Sequence, residues 1–203
     1  MTKRIKHFSK GRKTLFLNTE IANVIELVCQ HWNNEEEFED NGMDLSKGLL
    51  LGGNVGSGKT EILQTYKDMK NFYKLNSVRF TKCKDCNKAY MVKDTFSRDG
   101  GVMGLYGIRH AISSTGRADW IFDELGGEET YVQDYGNKFA VMPYIIDERE
   151  SHGLNIGKTH FTTNLSKEQI LDKYGSRTES RLYKSVNFIG LGIKSDSLDH
   201  RKQ

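Results

Sequence analysis

Residues 48–60 read Gly48-Leu49-Leu50-Leu51-Gly52-Gly53-Asn54-Val55-Gly56-Ser57-Gly58-Lys59-Thr60. A short apolar run ends in a glycine-rich turn, and the last eight residues match G-x-x-x-x-G-K-[ST] in full. Glycines let backbone N–H groups turn inward around phosphates. The helix predicted to start at Gly58 points its positive dipole end at the same place. Gly53, Asn54, Val55, Gly56, Ser57, Gly58, Lys59 and Thr60 are therefore the candidate residues for binding ATP. Lys59 is placed to reach the β- and γ-phosphates, and the Thr60 hydroxyl to ligate Mg²⁺. A glycine-rich turn with no ligand is the bland alternative. It leaves the strand before and the helix after without a reason to stand together.

About 60 residues downstream, Trp120-Ile121-Phe122-Asp123-Glu124 reads as a strand ending in two acids. Asp123 can hold Mg²⁺ through water, and Glu124 can polarise the water that attacks the γ-phosphate. Strand ends commonly carry acids, so the pair is weak alone and gains weight from the phosphate loop upstream. The adjacent glutamate favours hydrolysis over transfer to a small molecule. A third strand, Thr159-His160-Phe161-Thr162-Thr163, ends at Asn164, whose amide can meet the γ-phosphate or the attacking water. The plainer role for Asn164 is to turn the chain before Ser166.

The rest of the chain alternates. A helix is predicted over residues 18–32, with Ile21, Val24, Ile25, Val28 and Trp32 on one face, followed by an acidic loop, NNEEEFEDNG. Residues 60–72 read as helix and Val78 to Thr81 as strand, and residues 84–117 have room for two helices. A helix over 137–152 contains Pro143, which marks a first turn or a kink. Ser166 and Gln169 form a capping box for a helix stopping near Gly175. A second helix spans Arg177 to Lys184, and Val186 to Leu191 is the last strand. Five strands interleaved with helices imply an α/β fold, a five-stranded parallel sheet covered on both faces.

The 203 residues suit one domain, read as a basic arm over 1–14 and an ATPase domain over 15–203. Composition is that of an ordinary soluble protein, 36% apolar and 28% charged. No apolar run approaches the roughly 20 residues of a membrane span. The basic start has no apolar segment behind it, so a cytoplasmic location is expected. Lys3, Arg4, Lys6, Lys10, Arg12 and Lys13 make an arm that either tracks phosphates or is simply solvated. Cys29, Cys83 and Cys86 form no disulfide framework. The single Cys83-x-x-Cys86 lacks a second ligand pair for zinc, and both read as incidental surface thiols. His7, His31, His110, His152, His160 and His200 show no metal spacing.

GNVGSGKT, WIFDELG, THFTTNLS and YGSRTESRLY, in that order and spacing, resemble the AAA+ ATPases of the DnaC/IstB group over about residues 15–203. The resemblance implies an AAA+ P-loop core with the P-loop strand central and no sizeable separate lid domain. It also implies a homo-oligomer with ATP at the subunit interface. It makes Asn164 the first sensor and Arg181 the arginine that reaches into a neighbour's site, supported by Arg177 one turn earlier. Such an arginine is expected to make few contacts in its own subunit. The family's second-sensor arginine has no match in Asp196-Ser197-Leu198-Asp199, and Arg201 is the nearest candidate. Only one helix and a basic arm precede the P-loop, where full-length loaders carry a longer helicase-binding segment.

The function implied is an ATP-switched, DNA-associated assembly factor, a loader of the replicative helicase or a loader-like accessory protein. Its partners would be that helicase and single-stranded DNA. Lys82, Lys84, Lys88, Lys93, Arg98, Arg109 and Arg117 make residues 82–117 basic enough to contact phosphates. The alternative within the family is an IstB-type helper that serves a transposase on double-stranded DNA. Outside it stand a P-loop small-molecule kinase, against which no arginine-rich lid is evident, and a non-hydrolysing adaptor, which Glu124 disfavours.

Overall fold

The computed structural model describes residues 19–73, 78–91, 119–134, 136–151 and 157–192. Strand β1 (Gly48–Gly53) has Leu49, Leu50 and Leu51 fully buried. A continuous apolar run of this kind belongs to a parallel strand covered on both faces. β2 (Val78–Lys82), β3 (Asp119–Leu125), β6 (Thr159–Thr163) and β7 (Val186–Leu191) complete the sheet in the order β2-β3-β6-β1-β7. Every neighbouring pair in it is parallel.

The two faces bury different helices. Leu49, Leu51, Ile121 and Ile189 pack under α1 (Thr19–Asn33) and α3 (Lys59–Phe72), through Val24, Val28, Ile62 and Leu63. Leu50, Phe122 and Phe161 face the other way. They meet α4 (Cys83–Met91), α5 (Val141–Ser151) and α6 (Lys167–Ser185), through Cys86, Ile145, Ile170 and Leu182. This three-layer sandwich carries all five strands expected from the sequence. The middle strand, however, is β6. The P-loop strand β1 is interior but lies between β6 and the edge strand β7, so the expectation of a central P-loop strand is corrected by one position.

Three local readings also change. The acidic stretch contains a one-turn helix, α2 (Glu37–Asp40), because Phe38 is fully buried edge-on against His31 with ring centroids 5.3 Å apart. Residues 137–139 are strand, not helix: β4 (Val132–Asp134) and β5 (Asn137–Phe139) form an antiparallel pair, and α5 begins only at Val141. Pro143 accordingly sits in the first turn. The Tyr144 N–H makes the first bond back to Ala140, so the donor that proline lacks is not missed. Cys83 and Cys86 lie on the buried face of α4 rather than on the surface, and burial pushes the Cys86 thiol up to about 12.

The capping box is present as read. Ser166 Oγ accepts from the Gln169 N–H, and Gln169 Oε1 accepts from the Ser166 N–H at 2.8 Å. Gly175 breaks α6 at φ 81°, ψ 163°, so its two halves point differently. No described helix is long and apolar enough to cross a membrane. Among the described residues no separate lid follows the sheet. The basic arm, the helix expected beyond Met91 with Lys93, Arg98, Arg109 and Arg117, and Arg201 all lie outside the described residues.

Candidate nucleotide-binding site

The P-loop leaves β1 at Gly53, whose backbone runs against β7. A Cβ there would lie 1.7 Å from the Leu191 carbonyl oxygen, so a side chain has no room. The loop enters α3 through Gly58, a left-handed N-cap at φ 95° that glycine adopts without strain. Lys59 is 6% exposed and curls back over the loop. Its Nζ donates to the carbonyls of Gly53 and Asn54, each at 2.7 Å, and to Ser57 Oγ at 3.2 Å. The ammonium is thus held at the centre of the glycine turn, at the amino end of α3.

Thr60, the next residue, turns toward the sheet. Its hydroxyl donates to Asp123 Oδ1 at 2.8 Å. Thr162 Oγ1, from the adjacent strand β6, donates to the same oxygen at 2.7 Å and accepts the Glu124 N–H at 2.9 Å. Asp123 is 1% exposed, and its other oxygen, Oδ2, is buried with no hydrogen-bond partner among the described residues. A buried carboxylate oxygen with nothing to accept from is costly. Oxygen donors from Thr60 and Asp123 are the set a hard divalent cation such as Mg²⁺ takes, directly or through water. The residues present fit such an ion. Thr162, which orients Asp123 and fixes the Glu124 backbone, was not singled out from the sequence. The Thr162-Thr163 pair just before Asn164 was the available signal.

Glu124 stands at a bulge between Phe122 and Leu125, with φ 60°, a conformation uncommon outside glycine and asparagine. The bulge turns its half-exposed carboxylate sideways, 3.7 Å from Lys82 Nζ at the end of β2. Asn164 is exposed just past β6, the strand lying between the acid-bearing β3 and the P-loop strand β1. Asp123, Glu124, Thr60, Lys59 and Asn164 therefore gather at the carboxyl ends of three adjacent strands.

Arg177 and Arg181 are elsewhere. Both lie on the second half of α6 and bind α5. Arg181 Nη1 is 3.4 Å from Asp147 Oδ1 and donates to the Asp147 carbonyl and Ser151 Oγ, each at 3.2 Å. Arg177 Nε is 3.2 Å from Asp147 Oδ2. The expectation that Arg181 makes few contacts in its own subunit is thus corrected. It is tethered at three points because α5 presents a carboxylate, a main-chain carbonyl and the Ser151 hydroxyl to it.

No family profile and no curated protein sequence matches the chain. Solved structures do. The crystal structure of DnaI superposes with a TM-score of 0.60 at 18% identity, covering 99% of this chain and 94% of that one. The DnaC helicase loader gives 0.62 at 18% identity, covering 93% and 99%. AMPPCP-bound DnaA from Aquifex aeolicus gives 0.55 at 15% identity, covering 92% of this chain and 50% of DnaA. The chain has the fold of DnaI and of the DnaC helicase loader.

Proposed function

We propose that this chain binds and hydrolyses ATP as a DNA-associated assembly factor of the helicase-loader kind. The observation that carries the reading is the pairing of Thr60 and Thr162 on one oxygen of Asp123, which leaves the other buried and unpartnered among the described residues. Thr60 and Asp123 would hold Mg²⁺, which supplies charge neutralisation at the β- and γ-phosphates.

The chain's own residues do the rest. The P-loop N–H groups and the start of α3 wrap the phosphates, and the Lys59 ammonium exchanges its loop carbonyls for phosphate oxygens. Glu124, next to the metal-holding acid, orients and polarises the attacking water. Asn164, at the end of the intervening strand, contacts the γ-phosphate or that water. Arg181, supported by Arg177, completes the site of a neighbouring copy, so ATP holds subunits together and hydrolysis releases them. The exposed Lys84, with Lys82 and Lys88, starts a basic surface for DNA phosphates. The likeness to DnaC and DnaI supports a replicative helicase as the partner.

Turnover with and without single-stranded DNA, combined with capture of partners on the tagged chain, tests this. DNA-stimulated hydrolysis and co-purification of a replicative helicase are expected. Phosphoryl transfer to a small metabolite, indifferent to DNA, would contradict the reading, and capture of a transposase would move the chain to the transposition helpers.

A further inference from the structure

Arg177 and Arg181 come from consecutive turns of α6, yet they end on one carboxylate. Asp147 spreads its two oxygens between them: Oδ2 faces Arg177 Nε at 3.2 Å, and Oδ1 faces Arg181 Nη1 at 3.4 Å. The contacts are one-sided. Among the described residues, Arg177 is engaged only through Nε and Arg181 only through Nη1. The remaining N–H groups of both forks have no partner there. The exposures are graded to match, 75% for the Arg177 side chain, 27% for Arg181 and 24% for Asp147.

A solvated arginine spends most of its time in many rotamers, and ordering it carries an entropic cost. Arg181, hydrogen-bonded to the Asp147 carbonyl and Ser151 Oγ, has met much of that cost in advance, and the Asp147 carboxylate adds an ion pair to it and to the exposed Arg177. Two guanidinium groups side by side also repel each other unless a negative charge lies between them. Asp147 supplies that charge from behind, on α5, and the pair remains net positive in front. Two guanidinium groups that keep open N–H donors, with one net positive charge after Asp147 is counted, fit a phosphate group.

We propose that Asp147 is a positioning residue, holding Arg177 and Arg181 as one unit whose open N–H groups meet the terminal phosphate bound in a second copy of this chain. The proposal rests on the reading above that Arg181 acts on a neighbour's site. Asp147 touches neither ATP nor water. It acts through the two arginines and therefore belongs to the same side of the interface as they do.

Mixed assemblies of the full chain test it. Asp147→Asn keeps the shape and removes the charge. It is expected to lower kcat by about tenfold to a hundredfold, as for a catalytic group displaced by an ångström. Affinity for a fluorescent ATP analogue should stay within about twofold, since each subunit's own P-loop is untouched. Mixed with Glu124→Gln protein it should regain turnover; mixed with Arg181→Ala protein it should not, because both defects lie on one face. Wild-type turnover by Asp147→Asn, or recovery with Arg181→Ala, overturns the proposal. Should Asp147→Asn fail to fold, Arg177→Ala takes its place, since that side chain is exposed. It should show the same drop in kcat and the same mixing pattern, and wild-type turnover by it overturns the joint role. The control mixture, Glu124→Gln with Arg181→Ala, reads the underlying assignment alone. No recovery there, with co-assembly verified, defeats action in a neighbour's site and the Asp147 proposal with it.

Discussion

Thr60 and Asp123 are 63 residues apart and share a 2.8 Å hydrogen bond that joins the first turn after the P-loop to the end of β3. The bond leaves Asp123 Oδ2 buried with no hydrogen-bond partner among the described residues, a place that the proposed cation or its bound water would fill. Asp123→Asn should leave the fold intact, since Thr60 and Thr162 can still donate to the amide oxygen. The variant should lose the Mg²⁺ dependence of ATP affinity. Titrating a fluorescent ATP analogue with Mg²⁺ and with chelator reads this directly. An undiminished Mg²⁺ effect in the variant would place the metal on other ligands.

Glu124 carries both the proposed chemistry and the only acidic left-handed backbone among the described residues. Glu124→Gln should keep ATP binding and slow hydrolysis by about 10²-fold or more. Glu124→Asn should be just as inactive but no less stable, because asparagine tolerates φ 60° better, by up to about 1 kcal/mol. Thermal melts of the two variants compare them. A melting temperature for Glu124→Asn well below that of Glu124→Gln would mean that the backbone there is unstrained.

Gly48 and Gly42 separate two uses of glycine. A Cβ on Gly48 would lie 1.8 Å from the Thr159 carbonyl oxygen, where β1 and β6 lie side by side. A Cβ on Gly42 meets nothing within 4 Å, though its φ is +75°. Gly48→Ala should therefore cost several kcal/mol or prevent folding, as overpacking against backbone does. Gly42→Ala should cost only about 1 kcal/mol. Urea midpoints decide, and equal losses would mean that the two strands can move apart at no cost.

His160 is fully buried, and its Nδ1 accepts the Leu49 N–H at 3.1 Å, which requires that nitrogen to be unprotonated. His31 gives Nε2 to the Lys47 carbonyl at 2.8 Å. Burial, first of all, pushes both imidazoles below the ordinary value, and Lys70 adds to it. The unfolded chain takes up protons near pH 6.5 while the native one does not. Stability should therefore fall as pH drops below about 6.5. Asp119, whose carboxyl burial raises against the pull of Lys70, opposes this further into the acid range. His160→Gln, which can still accept from Leu49, should flatten the loss between pH 7.5 and 5.5. An unchanged slope would locate the acid sensitivity in other groups.

What was legible in the sequence was local. The phosphate loop, the Ser166–Gln169 box and the strand ending in Asp123 each announce themselves within a few residues, because each is specified by neighbouring backbone groups. The acids around Phe38 make its segment read as a loop, yet one aromatic in such a run is a sign of burial. Cys83 and Cys86, set among lysines, read as surface thiols, although apolar residues at every third position (Cys83, Cys86, Ala89) mark the buried face of the helix expected there. The place of β6 between β3 and β1 depends on long-range pairing that no short segment records. The role of Asp147 depends on two helices meeting, and nothing beside it in the chain points to Arg177 or Arg181.

Lys59 offers the most direct test of ATP binding by the Gly53–Thr60 loop. Its buried ammonium is held by Gly53, Asn54 and Ser57, all of them P-loop residues. Equilibrium binding of a fluorescent ATP analogue with Mg²⁺ should be measured for the natural chain and for Lys59→Ala, with circular dichroism to verify that the variant is folded. Loss of the charge facing the β- and γ-phosphates should weaken binding by about 10²-fold or more. A folded Lys59→Ala protein with unchanged affinity would contradict the assignment of the loop as the nucleotide site.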